Sequence, residues 1–115
     1  MGRLTTHVLD TSAGRPAAGV KVVLRRLDGG EATIAEAVTN ADGRLDQPIL
    51  DGEAFQPGRY ELVFHVGDYF RARGVALADP AFLDVVPLRF GLTEDAHYHV
   101  PLLVSPYGYS TYRGS

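Results

Sequence analysis

The sequence predicts an all-β sandwich or barrel, and three observations carry that prediction. Turn signals recur roughly every ten residues, the spacing of short antiparallel strands: SAGRP at 12–16, LDGG at 27–30, NADG at 40–43, LDG at 50–52, QPG at 56–58 and SPYG at 105–108. Thirteen glycines and seven prolines punctuate short runs rich in Val, Leu, Phe and Tyr. One run, 59–66, alternates with the period of a strand, setting Tyr60, Leu62, Phe64 and Val66 against Glu61, Val63 and His65.

The elements follow in order. The first strand is expected at Leu4–Asp10 and the second at Val20–Leu27. Ala32–Thr39 is the third, where Ile34 interrupts a small-residue pattern, and Arg59–Val66 the fourth. Asp68–Arg73 breaks the alternation and reads as a short helix with Asp68 as its N-cap. Phe82–Phe90, His97–Val104 and Tyr109–Arg113 complete the set. Pro87 and Pro101 fall inside two of these runs. Proline cannot donate to a ladder, so each marks an edge, a bulge or a strand end.

The 115 residues suit one domain, 1–115, able to bury a core without staples. Hydrophobic residues at 45% and charged residues at 22% are ordinary for a globular chain and wrong for a disordered one. Cysteine is absent, which excludes a disulfide framework, a thiolate nucleophile and Cys-ligated metal. A net charge of −3 without a basic run gives no electrostatic reason to expect nucleic acid. No apolar stretch is long enough to span a bilayer. The opening MGRLTTHVLD forms no signal-peptide core and the YRGS ending is no retention signal, so a cytoplasmic protein is expected.

The histidines are the first candidates for chemistry, because imidazole titrates near neutral pH. His97 and His99 are two apart on one strand and so share a face. His7 lies mid-strand in the first run, and the three converge if the two strands meet at one surface. His65 reads as a packed or solvent-facing residue with a satisfied hydrogen bond. Three imidazoles suit zinc, although no carboxylate partner is evident; a metal-free acid–base pair is the other option, and no metal or cofactor is expected. Arg44, after the Asn40-Ala41-Asp42-Gly43 turn, is either a solvated charge or a planar fork for an anionic or carbonyl-rich ligand. The tail, SPYGYSTYRGS at 105–115, belongs to a stretch in which four of the six tyrosines lie between Tyr98 and Tyr112. Aromatic area of that density argues for a docked tail, at a subunit interface. A Gly-x-Ser-x-Gly elbow, a phosphate loop and a dinucleotide fingerprint are all absent from the sequence.

Two segments resemble a known family. Leu4-Thr5-Thr6-His7-Val8-Leu9-Asp10 with Gly14-Arg15-Pro16-Ala17 resembles the first strand and turn of the transthyretin superfamily. The ending from Tyr98 through Val104 to Tyr112-Arg113-Gly114-Ser115 resembles its enzyme branch, the 5-hydroxyisourate hydrolases. The resemblance implies a sandwich of two four-stranded sheets with one short helix, assembled as a homotetramer with active sites at the dimer–dimer interface. It implies a catalytic set of His7, Arg44, His99 and Ser115, with Tyr112, Arg113 and Gly114 helping to hold a small-molecule substrate; His97, outside the matching motif, joins the substrate-binding group because it shares the face of His99. That substrate would be 5-hydroxyisourate, its ring opened by water without a cofactor. A carrier of a small aromatic ligand and a zinc hydrolase using His7, His97 and His99 are the alternatives; in the carriers the histidine and arginine positions hold other residues.

Overall fold

A computed structural model describes residues 2–114. Strand β1 (Arg3–Asp10) alternates cleanly: Leu4, Thr6, Val8 and Asp10 are buried, while Arg3, Thr5, His7 and Leu9 face outward. It is followed by β2 (Arg15–Pro16), β3 (Lys21–Arg26), β4 (Ala32–Val38), β5 (Leu50–Asp51), β6 (Gly58–Phe64), helix α1 (Val66–Ala72), β7 (Val86–Leu92), β8 (His97–Ser105) and β9 (Gly108–Thr111). A 3-10 turn, Gly52–Ala54, follows β5.

Two sheets form the sandwich. One runs β4-β3-β6-β7; the other runs β2-β1-β8-β9, with β5 also paired to β1. The expected four strands per sheet are therefore present along each hydrogen-bonded path, and the two-residue β5 makes one sheet five-stranded. Leu4, Val8, Val100, Leu102 and Val104 pack from one sheet against Val22, Leu24, Tyr60, Leu62 and Phe64 from the other, and all are buried. Each such side chain contributes about 1.5–3 kcal/mol on burial.

Three boundaries matter most among those that differ from expectation, and packing or pairing sets each of them. The helix starts at Val66, so its N-cap is His65, and Asp68 sits in the first turn. Val66 and Phe70 are fully buried, so packing rather than a capping side chain sets the start. Asp68 still favours the helix dipole and holds Arg71 at 2.9 Å. The strand expected at Phe82–Phe90 runs instead from Val86 to Leu92, because those residues face Phe64 to Gly58 on β6. Phe82 has no partner there and is 72% exposed. The last strand ends at Thr111 rather than Arg113.

The prolines explain part of this. Pro87 lies on β7, the edge of its sheet. Pro101 lies on β8 inside the other sheet, paired to His7 on one side. On the other side the β9 ladder stops at Leu102↔Thr111, and the tail rejoins only where the Gly114 N–H donates to the His99 carbonyl at 2.7 Å. The missing donor of Pro101 thus falls in the gap opposite Tyr112, between the Leu102↔Thr111 and His99↔Gly114 pairs, which keep one register.

A buried polar knot fixes one end of β1. The Asp10 carboxylate accepts from the Ser12 hydroxyl at 2.6 Å and from the Tyr69 phenol at 2.8 Å. Burial, and then that carboxylate, push the Tyr69 phenol up to about 12. The knot ties α1 to the strand that carries His7.

Candidate active site

β1 and β8 pair in parallel, and their register builds the site: Arg3 faces His97, Thr5 faces His99 and His7 faces Pro101. Period two then turns Thr5, His7, His97 and His99 toward the same open face. The expectation that the two histidine-bearing strands meet is met by direct neighbours, which antiparallel hairpins alone do not supply.

Arg44 reaches this face by a tight turn. The Asn40 carboxamide oxygen accepts from the backbone N–H of Asp42 at 2.9 Å and of Arg44 at 3.2 Å, an Asx turn. Gly43 follows with φ +73°, and its carbonyl accepts the Val8 N–H at 2.8 Å. A Cβ at this position would collide with the Val8 carbonyl, so only glycine passes. The turn is pinned against β1, and Arg44 forms a β-bridge with His7. Its guanidinium has no ion-pair partner among the described residues.

A half-open cavity of about 600 Å³ lies over these groups, lined by His7, Arg44, His97, His99, Tyr112 and Gly114 among others. Gly114 is required by closeness: a Cβ there would come within 2.8 Å of the His99 ring. The sequence-predicted site residues His7, Arg44, His97, His99, Tyr112 and Gly114 therefore come together. Arg113 does not line this cavity. Its guanidinium lies 4.1 Å from the centre of the Tyr98 ring, in a second groove beside Leu88 and Phe90. Ser115 lies outside the described residues.

Thr5 was not singled out from the sequence, and it is central here. Its hydroxyl lies 2.9 Å from Nε2 of His97 and 2.8 Å from Nδ1 of His99. A strand threonine is unremarkable by itself; the signal was its register opposite a histidine, which the sequence does not print.

The electrostatics favour neutral rings. Burial, and then the nearby Arg44 guanidinium, hold His7 below its ordinary value of 6.5, while the Asp42 backbone and carboxylate pull the other way. His99 is lowered by burial first, then by Arg44, His7 and His97. Two imidazoles kept unprotonated near pH 7 beside an unpaired guanidinium can accept a proton and stabilise developing negative charge. Among the described residues no three His, Cys, Asp or Glu side chains are grouped to hold a metal ion. No helix among them is long and apolar enough to cross a membrane.

Comparison with known proteins places the chain among its relatives. The chain is 65% identical to 5-hydroxyisourate hydrolase 2 of Rhizobium meliloti (strain 1021) over 99% of its length and 97% of that protein. It superposes on the Klebsiella pneumoniae 5-hydroxyisourate hydrolase structure with a TM-score of 0.82 and 40% identity, covering all of both chains. It superposes on an (S)-allantoin synthase structure with a TM-score of 0.94 and 50% identity over 99% of its length, spanning 44% of that longer chain. Residues 4–114 match the HIUase/Transthyretin family, and the chain belongs to that family.

Proposed function

We propose that this chain is a 5-hydroxyisourate hydrolase, a cyclic amide hydrolase acting in urate degradation. Water adds to a ring carbonyl of 5-hydroxyisourate, and the carbon–nitrogen bond of that amide breaks. The attacked carbon becomes a carboxylate, the nitrogen leaves and takes a proton, and the product is 2-oxo-4-hydroxy-4-carboxy-5-ureidoimidazoline. One observation carries the reading: His7, His99 and Arg44 line one cavity in a chain whose full-length relatives bear that activity in their names.

In this reading one of His7 and His99 removes a proton from water as it attacks, and the other binds substrate or returns a proton to the leaving nitrogen. Lowered basicity keeps both rings neutral at pH 7, as a base requires. Arg44 stabilises the oxyanion of the tetrahedral intermediate, for which the absence of an ion-pair partner among the described residues suits it. Ser115 joins the catalytic set through its hydroxyl or its carboxylate. Tyr112, Gly114 and His97 orient the flat heterocycle, and Arg113 anchors the tail through Tyr98.

The protein works as a cytoplasmic homotetramer, a dimer of dimers. The cavity over the open face of the β1–β8 pair is half open, and a second copy facing it would complete a concave site.

The test is a coupled assay in which urate oxidase generates the intermediate and its absorbance is followed with and without the protein. Accelerated decay that persists in excess chelator is expected. Decay at the uncatalysed rate would refute the hydrolase, and ligand binding without turnover would favour a carrier; loss of activity in chelator would favour the zinc hydrolase.

A further inference from the structure

The Thr5 hydroxyl occupies the gap between two imidazoles whose ring centres are 6.4 Å apart. A hydroxyl owns one proton and can accept others. Among the described residues Thr5 Oγ1 has no third hydrogen-bond partner, so its proton goes to one ring and the other ring donates to it. The tautomers of His97 and His99 are thereby locked in opposition: at the two facing nitrogens, one carries a proton and the other does not.

Position along the strands gives the line a direction. Arg44 bridges to His7; Thr5 and His99 lie two residues further along β1, and Arg3 and His97 two residues beyond that. Each two-residue step is about 6.6 Å. A positive charge on His99 therefore sits closer to Arg44 than one on His97. Arg3, the cation opposite His97, is exposed and screened by water.

We propose that Thr5 is a positioning residue that accepts the Nδ1–H of His99 and donates to Nε2 of His97, so that His99 presents an unprotonated Nε2 to the cavity and passes the proton it takes there out to His97. This rests on the hydrolase reading. The bookkeeping closes on one proton. Water's proton goes to Nε2 of His99, the Nδ1 proton of His99 moves to Thr5 Oγ1, and the Thr5 proton moves to Nε2 of His97. His99 ends neutral, Thr5 ends neutral, and His97 ends as the imidazolium; the reverse transfer returns the proton to the leaving nitrogen. The relay answers a difficulty of the site, since burial and Arg44 both disfavour charge on His99. A β-branched threonine, stiff at χ1, holds its oxygen in line better than serine would.

The test uses the full-length protein, Thr5→Val, Thr5→Ser and the smaller Thr5→Ala, with nitrogen-15-labelled histidine. In the parent protein, long-range nitrogen–proton correlation spectra should show both His97 and His99 as Nδ1–H tautomers. In Thr5→Val and Thr5→Ala, His99 should drift toward Nε2–H, with kcat falling about 10-fold and KM within about two-fold; Thr5→Ser should keep the tautomer and most of kcat. A His99 already Nε2–H in the parent, an unchanged tautomer in Thr5→Val, or a Thr5→Ser as slow as Thr5→Val would overturn the proposal. Failure of the hydrolase reading shows separately, as a parent protein that leaves 5-hydroxyisourate decay unaccelerated whatever its spectra show.

Discussion

On the outer face of the β4-β3-β6-β7 sheet, Glu61 is 4% exposed and held by Arg25 at 3.0 Å and Arg89 at 2.9 Å. Arg25 also holds Glu31 at 2.8 Å, and Lys21 holds Glu36 at 3.4 Å. On the open face of the β1–β8 pair, Arg44 meets no carboxylate among the described residues, and burial and Arg44 hold His7 and His99 below their ordinary value. Both faces are polar, half-buried and built on strands. One has spent its charges on itself across neighbouring strands; the other keeps a cation and two bases uncommitted over a cavity. Charge that is buried and paired is a structural statement, whereas charge placed in a concavity and left unpaired is a functional one.

The sharpest way to break that comparison is to remove a member from each face. His7→Asn, His99→Asn or Arg44→Ala should each cut kcat/KM by about 10²-fold or more while leaving the fold intact. Glu61→Gln, which takes the carboxylate from Arg89 and leaves Arg25 with Glu31 alone, should leave turnover within about two-fold and lower the urea midpoint instead. Steady-state kinetics beside denaturant titrations reads both. Wild-type rates in His7→Asn and His99→Asn would sink the assignment, and lost turnover in Glu61→Gln would erase the distinction between the faces.

Much of this division is visible in the chain itself. Strand periodicity placed His97 with His99, and the turn chemistry of Asn40–Gly43 marked the approach to Arg44. The all-β class followed from turn spacing, and the resemblance of the ending carried the family. The rest depends on partners far away in sequence. Thr5 matters because a parallel register sets it opposite His99, 94 residues away. Asp68 fits an N-cap by residue type, yet burial of Val66 starts the helix earlier. Phe82 fits a strand by composition but finds no strand opposite it. Arg113 belongs to the terminal motif, and the Tyr98 ring draws its side chain into the neighbouring groove. Each case is local preference overridden by a tertiary contact.

A smaller effect is expected where the tail meets the site. A methyl group at position 114 would come within 2.8 Å of the His99 Cδ2 atom and 3.2 Å of its Cβ. Either the ring turns or the tail lifts and weakens the bond from the Gly114 N–H to the His99 carbonyl. Gly114→Ala should therefore lower kcat/KM about 10-fold, since misplacing a reacting group by a few tenths of an ångström is costly. Gly14→Ala is the control on the far turn: φ is positive there, unlike at Gly114, and a Cβ meets nothing within 4 Å. It should lose some stability and no turnover. Equal loss of turnover in both variants would show that position 114 acts through general destabilisation.

The smallest effect, and the one that separates the faces without damaging either, is the response to acid. His7 and His99 have folded values below the ordinary 6.5, so the unfolded chain binds more protons than the folded chain just below that pH. Stability then declines as pH falls from about 6.5 and levels off once the folded rings have also charged. Glu61 is lowered from 4.5: burial alone would raise it, and the bonds from Arg89 and Arg25 outweigh burial. Its contribution is intact above 4.5 and is lost only as pH falls through its folded value, where Asp10 and Asp28 add losses of the same sign. Two acid phases should result, a histidine phase from the cavity face and a carboxylate phase from the paired face. Urea midpoints measured from about pH 7.5 down to about pH 2 resolve them. His7→Asn should shrink the first phase to the share of His99 and spare the second, and Glu61→Gln should shrink the second and spare the first. A midpoint that rises as pH falls through the histidine phase would mean that the folded protein holds its rings charged, the one state in which neither could serve as the base; a level midpoint would mean that folding leaves the basicity of both rings unchanged.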